Sequence, residues 1–162
     1  MTDCLRLIVA TLLVALAACA QARSFEGVVT HVTDGDSLWV RPASGGAPRE
    51  VRLQGIDAPE ICQAFGASAR DALAARVLHR RVAVNSRARD KYRRALGRVT
   101  VNGQDLGAWM VGRGNAWSYR FRRDVGPYAA QEARARNARL GLWADGPAIE
   151  PREFRKRHGS CK

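Results

Sequence analysis

Between Phe25 and Ile56 the chain alternates short runs of β-branched and aromatic residues with compact turn signals, and this rhythm restricts the fold more than any other feature. FEGVVTHVT (25–33) and LWVR (38–41) are separated by DGDS, a turn signature of the kind that joins adjacent strands, so the pair reads as a hairpin. PASGGAP (42–48) is a second turn. REVRLQGI (49–56) then returns with polar and apolar residues alternating at Glu50, Val51, Arg52 and Leu53. Three strands therefore come first.

From Gly66 the period changes. In GASARDALAARVLH, Ala69, Leu73 and Val77 recur at helical spacing, with Ser68 as the cap. RVAVN (81–85) and ALGRVTV (95–101) read as two further strands around a charged loop, RARDKYRR. Asn102-Gly103 marks a turn before a short helix over 104–111, and PYAAQEARARNARL (127–140) runs from a proline suited to a first helical turn to Gly141 as C-cap. Five short strands with a helix inserted after the third fit an α+β fold: a closed five-stranded β-barrel of OB type with three helices, since closure removes exposed edges. The helices are rich in Ala. Trp39, Trp109, Trp117, Trp143, Phe25 and Phe65 are therefore expected to supply much of the buried area.

Residues 5–20, LRLIVATLLVALAACA, form an apolar run broken only by Arg6 and Thr11, too short for a comfortable membrane span and placed as a signal peptide is. Leu16 to Cys19, LAAC, resembles a lipobox that would leave Cys19 as a lipidated first residue, while Ala18-Cys19-Ala20 also suits ordinary signal peptidase. Both readings predict export, to the periplasm, to the medium or to a membrane-anchored lipoprotein. The expected organisation is a signal segment over 1–20, one domain over 25–146 and a basic tail over 147–162 that carries five Lys or Arg in its last eleven residues. The remainder after cleavage, about 140 residues, is long enough to bury a core of its own.

The chain holds 27 Lys and Arg against 15 Asp and Glu, a net +12. Arg6 and Asp3 cancel within the leader, so all of the excess belongs to the remainder. Such a surface favours polyanions by steering and counterion release. Three His and the absence of any CxxC pair argue against a His-rich or thiolate zinc centre, and there is no phosphate loop, no GxGxxG and no GxSxG. Beyond the leader only Cys62 and Cys161 remain. In an exported chain they would either bridge the tail to the domain or stand as a small buried thiol and a free tail thiol.

Within this basic chain, acids gather in two turns. Asp34 and Asp36 flank Gly35, and Asp57 and Glu60 flank Ala58-Pro59. If strands one to three are neighbours the turns converge, and carboxylates held together call for a cation, for which an all-oxygen set points to Ca²⁺ or Mg²⁺. The other reading is a pair of ordinary Asx and Pro turns. Arg52 and Arg94, placed beside such a cation, would complete a set suited to phosphodiester chemistry: charge to hold phosphoryl oxygens, and Glu60 to orient or deprotonate water.

VTDGDSLWV, VRLQGIDAPE, DKYRRALGRV, LGAWMVGRGNAWSY and the stretch from Tyr128 through EARARNARLGLW follow one another in the order seen in staphylococcal nuclease, or thermonuclease, domains, which residues 25–145 resemble. The resemblance implies a Ca²⁺-dependent phosphodiesterase on an OB barrel that cleaves DNA and RNA to 5′-hydroxyl and 3′-phosphate ends. It implies Asp36, Asp57 and the backbone carbonyl of Ala58 as metal ligands, Glu60 as the residue that activates or positions water, and Arg52 and Arg94 as the phosphate grip. Tyr92 and Tyr119 match aromatic residues of the nucleotide pocket, and Asp34 is expected to support the turn.

Three positions depart from the family pattern. Ser37 replaces the commoner Thr, Ala58 lacks a side-chain hydroxyl, and Arg93 stands where Gly usually precedes the second arginine. There it would either shift Arg94 or add a phosphate contact. The expected partners are single-stranded or accessible DNA and RNA, bound mainly through phosphates by a monomer with no obligate protein partner. The alternative is a non-catalytic single-strand-binding protein of the cell envelope on the same barrel.

Overall fold

The computed structural model describes residues 23–121, 124–159 and 161; the apolar leader with Cys19 lies outside them. In chain order come β1 (Arg23–Asp34), β2 (Ser37–Pro42), β3 (Arg49–Leu53), β4 (Ile56–Asp57), α1 (Gly66–Val77), β5 (Arg81–Arg89), β6 (Ala95–Val101), β7 (Gln104–Asp105), α2 (Leu106–Gly112), β8 (Trp117–Ser118), α3 (Ala129–Asn137), a 3₁₀ turn at Gly141–Trp143, and α4 (Pro151–His158). Among the described residues there are thus four helices where three were expected. The additional one lies in the segment expected to be a basic tail, where Pro151 occupies the start of a helix that its fixed φ favours.

The barrel follows the strand order β3-β2-β1-β5-β6 and closes through a parallel pairing of β3 with β6, in which Val51, Arg52 and Leu53 face Ala95, Leu96 and Gly97. All other barrel pairings are antiparallel. β5 shows why these residues make a barrel wall: Val82, Val84 and Ser86 point inward while Arg81, Ala83, Asn85 and Arg87 face outward, the two-residue period of a strand with one buried face. That strand runs on to Arg89, into the first three residues of what reads in the sequence as a charged loop.

The barrel interior is aliphatic, built from Val29, Leu38, Val40, Val51, Leu53, Val84 and Val99. The expectation of an aromatic core holds for only part of the molecule. Trp117 and Trp143 are buried, edge to face with ring centroids 5.3 Å apart, in a separate cluster with Ala135 and Leu142, whereas Trp39 and Trp109 are half-buried. β-branched side chains fill a narrow barrel more evenly than indole rings do.

α1 lays Gly66, Ala69, Leu73 and Val77 against β1, one face of a helix at three- and four-residue spacing. Its N-cap is Phe65, in a left-handed backbone conformation, rather than Ser68, which lies inside the helix. The expected helix over 104–111 begins only at Leu106, because Gln104 and Asp105 first pair with β6. Asp105 then caps it, accepting from the Ala108 N–H at 3.2 Å. The helix expected from Pro127 begins at Ala129 and ends at Asn137.

A two-residue pairing of β4 with β8 fixes the second acidic turn. Ile56 and Asp57 pair with Ser118 and Trp117. Ser118 is held in turn by the buried Glu132 of α3, whose Oε2 accepts the Ser118 N–H at 2.8 Å while Oε1 accepts from Arg120 at 2.7 Å and Arg136 at 2.8 Å. A charge this deeply buried needs such partners.

Candidate active site

The two acidic turns do converge. The β1–β2 hairpin closes with Asp34 opposite Ser37, and the Asp36 N–H donates to Asp34 Oδ1 at 2.9 Å, an Asx turn. Gly35 is required here by proximity: a Cβ at this position would lie 2.7 Å from the Ala58 Cβ and 2.9 Å from that of Ala69. That close approach lets Asp36 reach the second turn, where its Oδ2 accepts the Ala58 N–H at 3.1 Å.

Arg52 joins the acids. It lies on β3 opposite Ser37 of β2, and its guanidinium bonds Asp36 through Nη1 and Asp57 Oδ1 through Nη2, the latter at 3.0 Å. Burial alone would push Asp36 up, but the Arg52 charge, the Ala58 N–H and the Ser37 hydroxyl outweigh it and hold the carboxyl below its usual range. Asp57 goes the other way: burial raises it, against bonds from Arg155 and the charge of Arg52. Asp34, desolvated and beside the Asp36 charge, is pushed up to about 7. Burial opposes the charged form of Arg52, yet Asp36 and Asp57 more than offset this and raise it.

Arg94 enters from the loop before β6. Asp90 shapes that loop, its Oδ1 accepting the N–H groups of Tyr92 and Arg94 and its Oδ2 accepting Arg94 Nε at 2.7 Å. These bonds outweigh the effect of burial and hold Asp90 below its usual range. Arg94 Nη1 then reaches Ser37 Oγ at 3.2 Å, and that hydroxyl donates to Asp36 Oδ1 at 3.0 Å. A polar chain thus runs from Arg94 through Ser37, Asp36 and Arg52 to Asp57. Arg93 takes up the left-handed conformation itself, with φ 69°.

A cleft of about 1490 Å³ opens over this chain, with Asp36, Arg52, Glu60, Arg94 and Tyr119 in its walls. Tyr92 also lines it, exposed and 5.4 Å below the Arg94 guanidinium. Arg93 is exposed; Lys91, Tyr92 and Arg94 are its neighbours that form the wall. Cys62 and Cys161 form a disulfide with Cα atoms 5.7 Å apart, and Cys62 is exposed rather than a core thiol.

One residue escaped the sequence reading. Arg155 of α4 donates to Glu60 Oε1 at 2.7 Å and to Asp57 Oδ2 at 3.0 Å. Spacing offered no sign of it, since Arg155 lies in a run of basic residues far along the chain from both acids. Cys161 was the only hint that this end of the chain is docked.

Among the described residues, no group of three or more His, Cys, Asp or Glu side chains is arranged to hold a metal ion. The donor chemistry nevertheless suits a hard divalent cation. Asp36 and Asp57 are all-oxygen, buried and close enough to share one guanidinium. In this conformation arginines answer their charge.

Residues 50–145 match the model of the staphylococcal nuclease homologue family. The chain is 42% identical over 158 residues to Protein ParB of Escherichia coli, covering 91% of this chain and 86% of that one. It is 39% identical over 145 residues to a micrococcal nuclease of Shigella flexneri, covering 82% and 81%. To an uncharacterized endonuclease of Haemophilus influenzae it is 34% identical over 141 residues, covering 87% and 78%. These relationships support nuclease-type activity in general and an interaction with nucleic acid. Barrel, paired turns and relatives agree, and the chain belongs to the staphylococcal nuclease homologue family.

Proposed function

We propose that this protein is a Ca²⁺-dependent, sugar-nonspecific phosphodiesterase that hydrolyses accessible DNA and RNA to 5′-hydroxyl and 3′-phosphate ends. The observation that carries the reading is the buried Asp36–Arg52–Asp57 linkage on the cleft, with Glu60 at its edge and Arg94 tied to it through Ser37. A purely binding groove has no use for acids facing a phosphate.

Asp36, Asp57 and the Ala58 carbonyl would hold Ca²⁺, which supplies positive charge to the phosphoryl oxygens when bound. Arg52 and Arg94 orient the scissile phosphate by charge-assisted hydrogen bonds and stabilise the charge that builds on it. Glu60 accepts a proton from the attacking water. As the P–O5′ bond breaks, Arg94 donates a hydrogen bond to the departing oxygen, which takes its proton from solvent. Tyr92 and Tyr119 offer faces on which bases stack without sequence preference.

The test is cleavage of single-stranded DNA by the purified protein with Ca²⁺ and with a chelator, beside Glu60→Gln and Arg94→Ala. Calcium-dependent cleavage that both variants lose supports the reading. Cleavage unchanged in both variants would overturn the site assignment, and binding without cleavage across metals and pH would establish the single-strand-binding alternative. Export belongs to the proposal as well. The Cys62–Cys161 disulfide supports it, because such bonds persist chiefly outside the reducing cytosol. Mass measurement of the protein from its native host, which separates cleavage after Ala20 from lipidation at Cys19, tests it.

A further inference from the structure

α4 is fastened on both sides of Arg155. Before the helix, Gln63 Nε2 donates to the Ile149 carbonyl at 2.6 Å and Arg120 Nη1 donates to Glu150 Oε1 at 3.1 Å; after it, Cys161 is bonded to Cys62. Gln63 and Cys62 belong to the same turn region as Glu60, so the anchors sit beside the acids that Arg155 contacts. The Arg155 side chain is about one-third exposed, while those of Asp57 and Glu60 are more deeply covered, so the fork comes down on the acids from the cleft side.

We infer that Arg155 is a tethered competitor of the divalent cation: it holds lone pairs of Asp57 and Glu60 in the free protein and must withdraw before a cation can bind Asp57. This rests on the reading of Asp57 as a metal ligand. Asp57 Oδ1 accepts from Arg52 at 3.0 Å and from Arg155 at 3.3 Å, and Oδ2 accepts from Arg155 at 3.0 Å. A cation bonding that carboxylate displaces a donor, and Arg155 is the one on a separate helix, while Arg52 is fixed within the barrel wall. The anchors hold the displaced guanidinium near the site, so its return is effectively intramolecular and lowers cation affinity continuously. Arg155 and Cys161 both lie outside residues 50–145, the part that matches the family model.

The experiment is calorimetric titration of the full protein with Ca²⁺ alone, without substrate, on wild type, Arg155→Gln, Arg155→Lys, Arg157→Gln and Cys161→Ser. Arg157→Gln removes the same charge from an exposed position on the same helix and controls for general electrostatics. The expected result is Ca²⁺ binding at least about tenfold tighter in Arg155→Gln, an intermediate gain in Arg155→Lys, which keeps charge but loses the fork, and less than about a twofold change in Arg157→Gln. Cys161→Ser is expected to move in the direction of Arg155→Gln. Equal affinity in wild type and Arg155→Gln overturns the inference and leaves the calcium reading standing. An equal gain in Arg157→Gln also overturns it. Absence of binding in every variant overturns the calcium reading, and the inference with it.

Discussion

Replacing Arg52 by Met separates what the arginine does for the fold from what it does for chemistry. Its side chain is 18% exposed and the carboxylates it pairs with are 6% and 7% exposed, so both ion pairs are largely shielded from water. Removing one partner of a buried pair costs about 3–5 kcal/mol, because the other charge stays behind. Arg155 still serves Asp57, so Asp36 bears most of the loss, left with the Ala58 N–H and the Ser37 hydroxyl. The lower end, about 3 kcal/mol at pH 8, is therefore expected. The sign with pH follows from Asp36: its folded value is depressed, so the stability Arg52 provides is present above the ordinary carboxylate range and is lost as pH falls through the depressed value. Urea unfolding in chelator, followed by the fluorescence of buried Trp117 and Trp143, should show the variant midpoint lower by roughly 1–2 M at pH 8, with the gap shrinking as pH falls below the ordinary carboxylate range. A gap below about 1 kcal/mol at pH 8, or one that does not change with pH, would refute the view that Arg52 neutralises Asp36.

Three other variants test separate parts of the structure. Arg93→Gly removes a side chain from a left-handed position, and although glycine also frees the unfolded chain, a net gain of about half a kcal/mol is expected in urea midpoints. Asp34 is raised to about 7, so the stability tied to its neutral form is complete below the ordinary value of 3.8 and is lost as pH rises through 7. Asp34→Asn should therefore flatten a thermal-stability profile between pH 4 and pH 8.5, and a parallel profile would contradict the burial of Asp34 beside the Asp36 charge. Glu132→Gln leaves Arg120 and Arg136 without their buried acceptor charge and should lower stability by about 2–4 kcal/mol by chemical unfolding, while a loss under 1 kcal/mol would show that water replaces it.

What the sequence revealed and what it concealed divide along physical lines. DGDS and GIDAPE are local: turn chemistry and strand alternation within a few residues of each acid place Asp36 and Asp57, and those placements are found. Strand β6 and the aliphatic stripe of α1 were legible for the same reason. Ser68 failed as a cap because helix entry was set by the left-handed Phe65, which no side-chain preference announces. Gln104 and Asp105 read as helical because the hairpin they form with β6 around Asn102-Gly103 has only two pairs, too few to show as alternation. Arg155 was hidden for a different reason, its distance along the chain from the acids. In a chain with 27 Lys and Arg, one more arginine in a basic stretch carries no signal until a docked helix brings it to the acids.

The parallel seam between β3 and β6 is what brings Arg52 and Arg94 to the same place. Arg52 and Leu96 are neighbours only once that seam is sealed, and Arg94 lies two residues ahead of Leu96. Pairings of such separation close late, after local hairpins have formed. A chain emerging from synthesis can build the β1–β2 hairpin, complete with Asp34 and Asp36, and still have no pair of arginines beside it. If the protein is the phosphodiesterase proposed, the capacity to cut is a property of the finished barrel, and latency before folding is built into the topology rather than added to it.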